Sequence, residues 1–147
     1  SRRTSSSHKE KEDGISQAQK ILLTWLVQDM SLYPKGAAYL SPDDFIEEPF
    51  HDVAVRLYEQ LDNGQINPAA IISTFDDGET QKKVASIFNR ELAEELSDSE
   101  RERALNQTVK KIKKNSLDIK SRSVTDVAQL QNIIKEQKEI QNIQIHL

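Results

Sequence analysis

The chain contains no cysteine, and this absence excludes disulfide bonds and thiolate metal sites. Glycine and proline occur only four times each among 147 residues. Runs of alternating apolar and polar residues are also rare, and both features favour helices over sheet. No apolar run reaches the roughly 18 residues of a membrane span, and no secretory signal is visible. We therefore expect an all-α, cytoplasmic protein.

Residues suited to catalysis or metal binding are present but are not grouped. The three histidines, His8, His51 and His146, lie too far apart for ligand spacing. The paired acids stand at predicted caps and turns, and the glycines are single turn residues rather than a phosphate-binding loop. No nucleophile is paired with a base. We expect no catalytic, cofactor-binding or metal-binding residue in this chain.

Residues 18–33 form the most apolar stretch and hold the only tryptophan, Trp25. Their apolar side chains recur at three- and four-residue steps, which is the pattern of a helix with a broad buried stripe. The pattern predicts a central helix over about 16–33, ended by Pro34. It also predicts that Trp25 lies at the centre of the core.

The following residues carry several helix signals. Ser41 before Pro42 is a typical helix start. Residues 49–61 predict a helix, which Gly64 follows as a turn residue. Asn67 caps a short helix, and another helix is expected over about 79–96. The buried face of the 49–61 helix is predicted to comprise Phe50, Val53, Leu57, Tyr58 and Leu61.

The pattern divides the chain into a disordered linker (1–14), a helical bundle subdomain (15–96) and a C-terminal antiparallel helical hairpin (97–147). Ser97 and Glu100 fit a capping box that starts the hairpin. A break follows at 121–123, and the last helix is expected from about Val124 to the end. The only methionine is Met30, so we expect a C-terminal piece of a longer protein. The narrow apolar seam of the first hairpin helix comprises Leu105, Val109, Ile112, Ser116 and Ile119.

Charge is unevenly distributed along the chain. Residues 42–96 contain 13 acidic and four basic residues, whereas 97–122 contain four acidic and eight basic ones. An acidic body with a basic arm indicates polar protein contacts. The lysines at 110–114 could touch phosphate, but no aromatic residue interleaves with them for base stacking. A solvated helix face is the better interpretation, and we expect no direct nucleic-acid contact.

The last helix has more apolar surface than one partner helix can cover. Val127, Leu130 and Ile134 repeat on one side, and Ile133 and Ile140 lie on a neighbouring side. The uncovered surface predicts an interaction site. A partner protein is favoured over self-association, so the chain alone is expected to be a monomer. The predicted contact residues are Ile133, Ile134, Gln137, Ile140, Gln141 and Ile143.

Residues 21–75 resemble the helical domain shared by two bacterial replication proteins. These are the C-terminal helicase-binding domain of DNA primase and the N-terminal domain of the replicative helicase. In both, a leucine-rich helix, here ILLTWLVQD, comes first. A segment with a few characteristic residues at set spacings follows it, and then a glycine-containing turn. The resemblance extends over about 18–147. The motif positions are matched here by Asp44, Phe45, His51, Val55 and Leu61.

The order of segments favours primase, and the stretch is similar to primase of a Bacillus-type bacterium. In primase this domain comes last, whereas the helicase domain would lead into a motor domain. The resemblance implies a bacterial, cytoplasmic helicase-interaction domain with the replicative helicase as its partner. It implies that the parent enzyme, a DNA-directed RNA polymerase, carries zinc and magnesium in other domains. Two alternatives stay open: the helicase domain itself, and a nucleic-acid-binding module using the lysines.

Overall fold

The computed structural model describes residues 2–89 and 96–147, with side chains from Gly14 onward. Within these ranges the chain is all-α and contains no strand, as the composition predicts. Two short 3-10 turns, Pro42–Asp44 and Ile140–Asn142, supplement the α-helices. The helices are α1 (Arg2–Gln28), α2 (Leu32–Ala37), α3 (Phe50–Asp62), α4 (Pro68–Ile72), α5 (Gly78–Asn89), α6 (Asp98–Ser123) and α7 (Val127–Glu139).

Helix α1 begins at Arg2, so its backbone passes through most of the segment for which the sequence predicts a linker. The side chains before Gly14 lie outside the described residues, and the disorder of 1–14 stays a prediction. The predicted continuation of the fifth helix beyond Asn89 likewise falls outside the described residues.

Helix α1 ends five residues earlier than predicted, and Pro34 is not the cause. The Asp29 carboxylate accepts hydrogen bonds from the Ser31 backbone N–H at 3.0 Å and from its hydroxyl at 2.6 Å. This local turn competes with the helix. Pro34 lies inside the first turn of α2, where its missing N–H has no partner to lose.

The core lies where α1, α3 and α5 meet the loop around Phe45. Burial of the predicted face of α3 is confirmed, since all five of its residues are 7% exposed or less. Tyr58 packs edge-on against Phe45 and Tyr33 and donates a hydrogen bond to the Leu40 carbonyl at 3.0 Å. The least exposed core side chains include Leu22, Leu23, Leu26, Phe45, Phe50, Leu57, Ile71 and Ile87.

Trp25 is not central, contrary to the sequence prediction. It is half-buried at the edge of the core and lines an open groove with Arg101 and Thr108. The inward positions of α1 are taken by leucines. Thr24 is polar but fully buried. Its hydroxyl donates to the Ile87 carbonyl at 2.8 Å, which satisfies the buried group and ties α1 to α5.

Helix α6 packs mainly along α1. The predicted capping box at Ser97 and Glu100 is present. Four of the five predicted seam residues are buried, and Ile119 is half-buried. Leu105, Val109 and Ile112 join the same apolar cluster as the earlier helices. A separate unit beginning at residue 97 stays a prediction.

The last helix is much shorter than predicted. Helix α7 starts at Val127, capped by the Asp126 carboxylate, and ends at Glu139. Residues 143–147 are not helical. The sequence carries the reason, since Ile143 and Ile145 alternate with polar residues, a period of two that suits extended backbone.

Candidate protein-interaction surface

Helix α7 lies on the outside of the molecule and contributes little to the core. Ile133 is its one buried residue, at 8% exposure, and lies outside the main apolar cluster. Gln137 donates a side-chain hydrogen bond to the Asp118 carboxylate of α6 at 3.1 Å. The helix therefore rests on α6 along one narrow face.

The face of α7 next to the Ile133 face carries an exposed aliphatic stripe formed by Val127, Leu130 and Ile134. These side chains are 68%, 36% and 41% exposed, respectively. Their spacing of three and four residues places them in one row along the helix. A row of large aliphatic groups that stays partly exposed is typical of a docking surface. We call this row the α7 stripe.

The six predicted contact residues do not form one surface. Ile133 and Ile143 are buried, and Ile140 is half-buried against the core. Ile134 and Gln141 are exposed, and Gln137 is half-buried with its amide engaged. Only Ile134 belongs to the α7 stripe.

The sequence contained the signal for the α7 stripe but not its direction. Two adjacent apolar rows run along α7, one through Ile134 and one through Ile133. Periodicity identifies both rows without telling which one meets α6. The predicted contact residues come from both rows, whereas the structure buries Ile133 and exposes Ile134.

A buried carboxylate joins α6 to the turn that precedes α3. Asp44 is 2% exposed and accepts a hydrogen bond from the Ser116 hydroxyl at 2.7 Å. Lys113 and Lys120 approach the same carboxylate at 3.5 and 3.4 Å. Its second oxygen accepts from the Ser41 backbone N–H at 2.9 Å. Three side chains of α6 thus converge on Asp44, which fixes the rotation of α6 against the body.

This arrangement bears on the lysines considered for phosphate binding. Lys113 is committed to Asp44, with its side chain only 20% exposed. Lys111 and Lys114 are exposed, while Lys110 is half-buried. One member of the group therefore faces inward, and the remaining charges form no continuous basic surface with it.

Three potential metal-ligating side chains meet at the start of α3. The ligand atoms of Glu48, His51 and Asp52 lie within 4.8 Å of one another. The His51 Nδ1 atom is 3.0 Å from the Pro42 carbonyl. Glu48 and Asp52 are exposed, and the positive end of the α3 dipole opposes a cation there. The geometry gives this cluster no specific function.

Comparison with protein families, with curated proteins and with solved structures finds no match to this chain. Among the described residues, no helix is both long enough and apolar enough to cross a membrane. The functional argument therefore depends on the residues and on the geometry of the α7 stripe.

Proposed function

We propose that this chain is the helicase-interaction domain of a bacterial DNA primase. It docks the primer-synthesising enzyme on the replicative helicase and modulates helicase activity during DNA replication. Two lines of argument support the proposal: the resemblance of residues 21–75 to that domain, and the exposed α7 stripe. The stripe is the observation that carries the binding function.

The residues of the resemblance have mostly structural roles. Phe45 and Leu61 are buried in the core, and Asp44 holds α6. His51 is hydrogen-bonded to the Pro42 carbonyl, whereas Val55 is 43% exposed on α3. These positions support a shared fold more than a shared contact. The partner-binding argument accordingly rests on α7.

The α7 stripe suits an apolar contact with a protein partner. A few central apolar side chains usually carry most of an interface, surrounded by a polar rim. The row itself carries no charge, since all three of its side chains are aliphatic. Docking should therefore depend on burial of the aliphatic row and respond weakly to salt.

The test is co-elution of the chain with the replicative helicase on a sizing column. Ile134→Asp should abolish co-elution, because it places a charge inside the desolvated contact. The folded variant should be about as stable as the wild-type chain, since Ile134 is 41% exposed. Lys135→Ala is the matched control, a neighbouring exposed residue whose loss should leave co-elution intact.

Different results would favour the open alternatives. Normal binding by Ile134→Asp, with native circular dichroism, would show that the α7 stripe is not part of the contact. Binding to an intact primase instead of the helicase would favour the helicase N-terminal domain. Binding to single-stranded DNA that weakens steeply with salt and is lost in Lys111→Ala with Lys114→Ala would favour a nucleic-acid module.

A further inference from the structure

The segment 143–147 lies against the body as a bound peptide would. Ile143 and Ile145 are 7% and 3% exposed and belong to the main apolar cluster. Gln144 and His146, which alternate with them, are exposed. Alternate side chains therefore enter the body, and the residues between them face solvent, as in a strand bound in a groove.

Side chains of α6 and of the α2 region hold the backbone of this segment. The Asn106 amide donates to the Ile145 carbonyl at 2.9 Å and accepts from the Ile145 N–H at 2.7 Å. One side chain thus satisfies both backbone groups of a single residue, as a neighbouring strand would. Asn106 lies on α6, so this contact fixes the segment along that helix.

Three further backbone contacts lie on both sides of Ile145. Tyr39 donates to the Gln144 carbonyl at 3.2 Å, and Lys35 donates to the His146 carbonyl at 2.7 Å. The Leu147 N–H donates to the Glu102 carboxylate at 3.0 Å. The groove between the α2 region and α6 therefore recognises an extended main chain, with pockets for two aliphatic side chains.

This segment anchors the hairpin more firmly than α7 does. Helix α7 contributes one buried residue, Ile133, which is outside the main cluster. The five residues that follow the 3-10 turn contribute two buried isoleucines and the backbone contacts above. The position of α7 is therefore set by its narrow contact with α6 and by what holds 143–147.

We propose that the groove between the α2 region and α6 is a peptide-docking site whose resident ligand is the chain's own segment 143–147. The segment acts as a releasable clasp, and its release frees α7 from the body while the body stays folded. The groove accepts an extended segment with aliphatic residues at alternate positions, and the affinity comes from main-chain contacts. This inference does not depend on the identity of the partner of α7.

The first test uses the full chain and a labelled peptide of residues 142–147, NIQIHL. Wild-type protein should bind it weakly, because the tethered native segment competes at a high effective concentration. Ile143→Ser with Ile145→Ser weakens the resident segment and should raise peptide affinity at least about tenfold. Adding Asn106→Ala should remove the gained binding. A peptide with serine at both isoleucine positions is the matched control.

Two results of this test would overturn the proposal. One is equal binding of the peptide by the wild type and by the double variant. The other is no binding by a double variant that retains the helical circular dichroism of the wild type. Fluorescence anisotropy of the label measures each affinity directly.

A second test avoids any loss of core side chains. The Asn106→Ala variant lacks the side-chain oxygen that accepts from the Ile145 N–H. Because local opening is enough for exchange, hydrogen exchange at the Ile145 amide should accelerate about tenfold or more. Amides of α7 should accelerate with it, while that of Val109 in α6 should not. Unchanged exchange at Ile145, or equal acceleration at Val109, would show that the clasp does not release separately.

Discussion

The body and α7 differ in how their apolar residues are used. In α3 of the body, six of thirteen residues are buried, whereas α7, also of thirteen residues, buries one. Both helices are amphipathic in sequence. In α3 the apolar face meets the core, and in α7 much of it meets solvent. Amphipathic pattern alone thus does not tell a core helix from a helix whose apolar face stays exposed.

The comparison also concerns how each region is held. The body is held by a continuous apolar cluster that reaches into α6. Helix α7 is held in place by a narrow contact with α6 and by the clasp at 143–147. We expect substitutions in the body to reduce the stability of the whole chain, and substitutions on α7 to change binding.

The largest expected effect is in the body. Phe45→Ala should lower the free energy of unfolding by about 3–5 kcal/mol, the usual penalty for an aromatic cavity, because Phe45 is fully buried. Urea denaturation followed by circular dichroism measures it. Val55→Ala, at an exposed site of α3, is the control. A loss of stability as small as that of the control would show that Phe45 is not a core residue.

The next effect concerns the junction of the two regions. Asp44→Ala should cost about 1–3 kcal/mol, because it leaves the Ser116 hydroxyl without its buried acceptor. Asp43→Ala, at an exposed neighbour, should cost far less. In a double-mutant cycle, Ser116→Ala should add little to Asp44→Ala, since both remove one contact. Full additivity would mean that the two groups are not coupled.

A smaller effect appears in alkaline solution. Burial, followed by the nearby Tyr33 and Asp44, raises the pKa of Tyr58; burial, followed by Asp62, raises the pKa of Tyr33 to about 12. The pKa values of both tyrosines are higher in the folded than in the unfolded chain. The stability that the two neutral hydroxyls contribute is therefore complete below about pH 10 and is lost as the pH rises above it.

The measurement is the urea midpoint between about pH 8 and pH 11, a range that spans the ordinary tyrosine pKa. Tyr58→Phe should make the decline shallower. At neutral pH it should cost about 1 kcal/mol, because the Leu40 carbonyl loses its hydrogen bond. An identical pH slope in the wild type and the variant would show that Tyr58 does not drive the alkaline loss.

The smallest expected effect is on the α7 stripe. Val127→Ala and Leu130→Ala should each change the free energy of unfolding by no more than about 0.5 kcal/mol, as exposed substitutions usually do. The same variants should weaken helicase co-elution. A cost comparable to that of Phe45→Ala would mean that the stripe is covered in solution, and the contrast between the regions would disappear.

Helix class, several caps and most buried faces could be predicted from the sequence. The capping serine at Ser97 and the capping asparagine at Asn67 occupy their predicted positions. The buried face of α3 is as predicted because it has one apolar stripe and no competing row. These features depend on contacts within about four residues, so the local pattern is sufficient.

The candidate site could be predicted only in part. The sequence indicates surplus apolar surface on the last helix, but the predicted contact residues include Ile133 and Ile143, which are buried. The end of α7 was also missed, because isoleucine fits both a helical stripe and an extended segment. The deciding contacts, such as those of Asn106 with Ile145, join residues 39 positions apart.

The sequence by itself determined the helical class, the helix starts and the presence of two apolar rows on α7. The tertiary structure decided which row meets solvent, that Trp25 lies at the edge, and that 143–147 returns to the body. The physical reason is the range of the interactions. Capping and periodicity act within a few residues, whereas burial depends on which distant elements compete for the same core position.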